Sequence, residues 1–98
     1  MKMHKTKVIF RTWRDTKEVI AIFPDIPADH NPHSCLSYLH IGQHGGCSPH
    51  LVIAHTTLST ENEYAKRYSE LIKDVGYDLK IIKRYNQSVS FYNREQKN

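Results

Sequence analysis

Apolar and polar positions alternate, or apolar ones run together, in several short stretches, and the spacing turns helical once. Residues 7–13 (Lys-Val-Ile-Phe-Arg-Thr-Trp) are β-branched and aromatic enough to predict a strand. A turn over 14–17 leads into 18–23 (Glu-Val-Ile-Ala-Ile-Phe), whose nearly unbroken apolar run predicts a strand buried on both faces, and so a central one. Pro24 and Pro27 end it. With Pro32 they keep 25–33 extended, as an ordered excursion over the surface. Residues 34–41 alternate again: Leu36, Tyr38 and His40 share one face, and Cys35, Ser37, Leu39 and Ile41 the other. Beyond a glycine-rich stretch, 51–55 (Leu-Val-Ile-Ala-His) predict a fourth short strand in a hairpin with the third, and 78–84 a last one.

The helical segment is the clearest element. Thr60 and Glu63 have the spacing of a capping box, in which hydroxyl and carboxylate each bind a free backbone N–H of the first turn. Tyr64, Tyr68, Leu71 and Val75, with Ala65 and Ile72 beside them, form one apolar stripe. Tyr64 and Tyr68 read as core, not as an exposed stacking platform. Gly76 stops the helix as its left-handed C′ residue, and Tyr77 folds back on the last turn. Residues 86–98 are polar and predict a frayed tail, pinned locally by Phe91 and Tyr92. The order ββββαβ predicts an α+β two-layer sandwich, a mostly antiparallel sheet of about five strands with one helix on one face. Residues 1–98 make a single domain with its ordered core over 7–85.

Composition narrows the class. In 98 residues, 39% of them apolar, there is room for one core. Fourteen Lys and Arg against ten Asp and Glu give a formal charge of +4, which permits an anionic partner. The basic residues gather near the ends (Lys2, Lys5, Lys7, then Lys80, Lys83, Arg84, Arg94, Lys97) and acids cluster at Glu61, Glu63, Glu70 and Asp74. That is a dipolar chain rather than a uniformly basic nucleic-acid binder. Cys35 and Cys47 make no disulfide framework. With no apolar run long enough to span a bilayer and no signal-peptide core, the expectation is a soluble cytoplasmic protein with no membrane partner.

Candidate chemistry centres on 38–50. Glycines at 42, 45 and 46 allow positive φ or the close approach of a bound group. Consecutive N–H groups of Gly42, Gln43, His44, Gly45 and Gly46 would form a nest for a phosphate, with Tyr38, His40, Gln43 and His44 around it. The lysine and the following helix of a phosphate-binding loop are missing. His40, His44, Cys47 and His50 are spaced H-x3-H-x2-C-x2-H, all side chains that suit zinc, with His30, His33 and Cys35 as a second arm. The competing reading is of solvated or hydrogen-bonded histidines and no cofactor. His55-Thr56-Thr57 matches half of a two-histidine phosphoesterase site without a second half, and Cys35 or Cys47 with His44 would be a nucleophile without an evident activator. The reading leans away from an enzyme and leaves it open. Lys80, Lys83 and Arg84 with Tyr77 and Tyr85 suit nucleic-acid contact, or simply a solvated edge strand.

Val8-Ile9-Phe10-Arg11, then Val19 through Pro27, Ser37-Tyr38-Leu39-His40-Ile41-Gly42-Gln43-His44-Gly45, Thr60, Glu63-Tyr64, Gly76-Tyr77-Asp78-Leu79 and Lys83-Arg84 carry a resemblance. Over about residues 7–84 the chain resembles a family of small uncharacterised proteins of bacteriophages and mobile elements in gut Bacteroidetes-type bacteria. Cys47, Ser48, Pro49 and His50 lie outside the shared motif. The resemblance implies an origin and a site at the glycine loop, but no mechanism. The expectation is a non-enzymatic binding protein, its Gly/His/Gln loop holding a small nucleotide-like anion or a host protein, as in counter-defence. Open sheet edges make a homodimer an expected assembly. The alternative is a zinc- or nucleic-acid-binding accessory protein.

Overall fold

The computed structural model describes residues 5–39 and 44–97. Along the chain run β1 (Thr6–Trp13), β2 (Val19–Phe23), β3 (Cys35–Tyr38), β4 (His44–Cys47), α1 (Pro49–His55), β5 (Thr56–Leu58), α2 (Glu61–Glu70), β6 (Leu79–Ile81) and α3 (Gln87–Lys97). The expected α+β class with a mostly antiparallel sheet is present, with six strands among the described residues. The order is β4-β3-β2-β1, antiparallel throughout. The outer edge of β1 is divided. Arg11, Thr12 and Trp13 pair antiparallel with β5, while Thr6, Lys7 and Val8 pair with β6, the one parallel contact.

The central strand β2 is buried at all five positions, as its apolar run requires. Alternation in β1 sends Val8 and Phe10 to one face, where they meet Phe23, Tyr38, Leu71 and Leu79. Ile9 goes to the other, against Ile20, Ile22, Cys35 and Val52. The first face is covered by α2. Its capping box forms as expected: Thr60 Oγ1 accepts from the Glu63 N–H at 3.3 Å, and Glu63 Oε1 accepts from the Thr60 N–H at 2.8 Å. Tyr64 stacks on Phe10 with ring centroids 4.8 Å apart. Tyr68 and Val75, expected in the apolar stripe, are partly exposed, at 37% and 43%. Residues Leu71–Val75 widen into one π-helical turn, with the N–H groups of Gly76 and Tyr77 both on the Leu71 carbonyl. Gly76 closes it at φ 96°, a left-handed position that favours glycine.

Two segments differ from their sequence reading. Residues 51–55, expected as a strand, belong to α1. Pro49 sits in its first turn, where the missing N–H costs nothing. Four apolar residues are too few to fix a period, and Val52 is buried while Leu51 is 62% exposed. The strand that does pair with β3 is β4, made from the glycine stretch itself. The polar tail is also helical. Asn86 Oδ1 accepts from the Val89 N–H at 3.1 Å, and α3 docks on the proline excursion mainly through hydrogen bonds. Ser90 and Asn93 donate to the two oxygens of Asp25 at 2.7 and 3.1 Å, and Arg94 donates to the carbonyls of Pro24 and Pro32 at 2.7 and 2.8 Å.

Candidate functional site

A charged residue between Ile9 and Trp13 on one strand face marks the first candidate. Arg11 lies on the same face of β1 as Ile9, beneath α1. Its Nε donates to Thr56 Oγ1 at 2.9 Å, and one terminal nitrogen donates to the carbonyls of Thr56 at 3.0 Å and Ile53 at 3.3 Å. Arg14 donates to the carbonyl of Ala54 at 2.8 Å. Two arginines of the β1 region thus satisfy carbonyls that the C-terminus of α1 leaves without helical partners. Burial, and behind it Arg14, lowers the Arg11 pKa, but a guanidinium stays charged in any folded protein. Fixed in this way, Arg11 joins His50 of α1 and Lys83, Arg84 and Gln87 around a cleft of about 400 Å³. Ile9, Ile53 and Tyr85 supply its apolar wall, and His50 meets the Tyr85 ring edge-on at 5.8 Å. No carboxylate lines it among the described residues. Lys83 and Arg84 also border a shallower groove with Lys7 and Lys80, so the positive surface continues along β6.

Sequence reasoning named Lys80, Lys83, Arg84 and Tyr85 but missed Arg11 and Gln87. The available signal was the arginine within the apolar alternation of 7–13. Its partners lie more than forty residues away, which no local pattern reveals.

Of the glycine segment, the described residues His44, Gly45 and Gly46 belong to β4. His40, Gly42 and Gln43 lie outside the described residues. Gly45 and Gly46 are strand residues facing Ser37 and Leu36 across the ladder, neither with positive φ. A Cβ on Gly46 would stand 3.1 Å from that of Ala28, so glycine there admits the proline excursion. Tyr38 is fully buried and donates to Glu70 Oε1 at 3.1 Å. Burial, then this carboxylate, raises its pKa. The His44 ring is exposed, with Nε2 3.1 Å from the Tyr77 hydroxyl and its centroid 5.0 Å from that of Tyr38.

Of the expected metal ligands, His40 lies outside the described residues, and His44, Cys47 and His50 are placed apart. Strand alternation sends His44 to the α2 face and Cys47 to the α1 face, while His50 sits on α1 against Tyr85. His33 packs on Phe91 with centroids 5.3 Å apart. Among the described residues, no three His, Cys, Asp or Glu side chains gather as a metal site. His55 and Thr56 end α1 and open β5; the Thr56 hydroxyl is buried, donating to the Val52 carbonyl at 2.6 Å.

A second concavity, of about 520 Å³, opens where the β1–β2 turn faces α1. Trp13, Ile20, Leu39, Leu51 and Val52 wall it, with Asp15, Glu18, His55 and Cys47 at polar positions. Cys47 stands across the ladder from Cys35, with Sγ atoms 3.7 Å apart. The contact with Cys47, together with burial, pushes the Cys35 thiol up. That same contact draws the Cys47 pKa down, helped by the Ser37 hydroxyl and the charge of Arg94 against the effect of burial. Arg94, 47 positions along the chain in the segment read as a tail, adds a smaller favourable charge that the sequence did not show beside the thiols.

Among the described residues, no helix is long and apolar enough to cross a membrane. No protein-family model, curated protein or solved structure matches the chain.

Proposed function

We propose that the protein is a binding module for a small phosphate-bearing ligand of the nucleotide class, held in the cleft between β1, α1 and residues 83–87. The observation that supports this is one concavity where Arg11, His50, Lys83 and Arg84 converge and no carboxylate lines the wall among the described residues. Its volume of about 400 Å³ lies in the range of small-molecule sites. Arg11 is held by three hydrogen bonds, so its charge is in place before a ligand arrives. Lys83 and Arg84 are exposed and supply the adaptable contacts, with Arg84 able to bind a phosphate through two parallel hydrogen bonds. Ile9, Ile53 and Tyr85 give a ring an apolar surface. Sequestering a nucleotide signal in counter-defence is the role that the phage-family resemblance would give such a module.

The test is titration calorimetry with a nucleoside triphosphate and with a short single-stranded oligonucleotide. Replacing both Lys83→Ala and Arg84→Ala should weaken nucleotide binding at least about tenfold. If the oligonucleotide binds through about three phosphates, raising salt from about 50 to about 200 mM should weaken it by about an order of magnitude. Nucleotide binding that is untouched by the double substitution but lost in Gln43→Ala would move the site to the glycine loop and overturn this assignment.

A further inference from the structure

Cys35 and Cys47 are directly opposed on neighbouring antiparallel strands, with Sγ atoms 3.7 Å apart. Opposed residues in such a pair hold their Cα atoms about 4.5–5.5 Å apart, within the span of about 4.4–6.8 Å that a disulfide bridges. Oxidation therefore asks the sulfurs to close to about 2 Å with little movement of the strands. Their access differs. Cys35 is fully buried beneath α1, whereas Cys47 is half-buried and lines the cavity walled by Trp13, Leu39 and Leu51. Whatever enters there meets Cys47 first and finds Cys35 directly behind it. Arg94, itself 1% exposed, brings positive charge to bear on both sulfurs from a position fixed by two backbone carbonyls and the Tyr85 hydroxyl. The cavity's apolar walls suit an alkyl or aryl body, and Asp15 and Glu18 at its border disfavour anionic substrates.

We propose that the two cysteines form a hydroperoxide-reducing site, in which Cys47 attacks an organic hydroperoxide seated in the Trp13–Leu51 cavity and Cys35 resolves the product as a disulfide joining β3 to β4. The Cys47 thiolate attacks the terminal peroxide oxygen. The O–O bond breaks, an alcohol leaves after taking up a proton, and Cys47 becomes a sulfenic acid. Cys35 sulfur then attacks Cys47 sulfur, and the hydroxyl departs as water with the Cys35 proton. Two thiols lose two electrons and two protons, while the peroxide gains both to become alcohol and water. An external dithiol reopens the bridge by exchange at Cys47, the accessible sulfur. This site lies on a different part of the molecule from the basic cleft, and neither assignment depends on the other.

The experiment treats the full chain with one equivalent of cumene hydroperoxide and reads intact mass, peptide map and alcohol released. The expected result is a monomer lighter by two hydrogens, a peptide joining Cys35 to Cys47, and one alcohol per chain, formed at least about tenfold faster than with free cysteine at the same pH. Cys35→Ser should stop at a sulfenic acid on Cys47 that dimedone captures, and Cys47→Ser should leave Cys35 unreacted. Disulfide formed mainly between chains, dimedone capture on Cys35, or a rate equal to that of free cysteine would overturn the proposal. The wild-type peptide map decides the question even where a serine variant folds poorly.

Discussion

Gly45 and Gly46 are neighbours of the same type that do different things. Both are extended and paired with β3, so neither answers to a demand for positive φ. A side chain on Gly45 would meet nothing within 4 Å, whereas one on Gly46 would press on Ala28 at 3.1 Å. Gly46→Ala should therefore destabilise the protein by about 1 kcal/mol, as the excursion shifts to admit the methyl. Gly45→Ala should be neutral or stabilising by up to about 1 kcal/mol, because it restricts the unfolded chain. Urea unfolding of the two variants separates them, and equal losses would contradict this account. The same pair shows a limit of sequence reading. Three glycines within five residues announce that the backbone is special there, but not whether a ligand, a turn or another part of the chain is the cause.

At the scale of elements, legibility followed the kind of force that fixes each one. The strands β1, β2 and β3 and the helix α2 are held by apolar periodicity and a local cap, which are written in consecutive residues. The helices α1 and α3 depend on partners far along the chain: Arg11 and Arg14 for the carbonyls of the first, Pro24, Asp25 and Pro32 for the second. The basic cleft inherits that difficulty, because α1 and the segment before α3 form two of its sides. Docking of α3 also carries a pH dependence. Burial opposes ionisation of Asp25, but hydrogen bonds from Ser90 and Asn93 and the Lys7 ammonium at 3.2 Å outweigh it and hold its carboxyl below the usual range. A carboxylate depressed on folding stabilises the folded state above its unfolded pKa of about 3.9, and that contribution is lost as pH falls through the lower folded value. Thermal midpoints should therefore drop below about pH 4 more steeply in the wild type than in Asp25→Asn, which is weaker at neutral pH to begin with. Parallel pH profiles for the two would exclude Asp25 as the group responsible.

For the whole molecule, the two candidate sites lie on the α1 side of the sheet, and the α2 side carries the aromatic core of Phe10, Phe23, Tyr38 and Tyr64. Residues 79–97 bind the two halves together. They complete the edge of β1 through β6, add Ile82 and Tyr85 to the core beneath α1, and place Arg94 under the proline excursion. A chain ending at residue 78 should lose cooperative unfolding and bind a hydrophobic dye, since Leu79 and Tyr85 no longer cover their share of the core; a sharp urea transition in that fragment would refute the expectation.

The divided outer edge of β1 also sets a timetable for assembly on the ribosome. Three hairpin contacts, β1 with β2, β2 with β3 and β3 with β4, are available as soon as the first half of the chain emerges. The remaining flank of β1 must wait for β5 to claim one end of it and for β6, much later, to claim the other. Until then the nascent chain presents a bare row of amides and carbonyls beside Val8 and Phe10, the stretch a chaperone or a stray neighbouring strand would reach first.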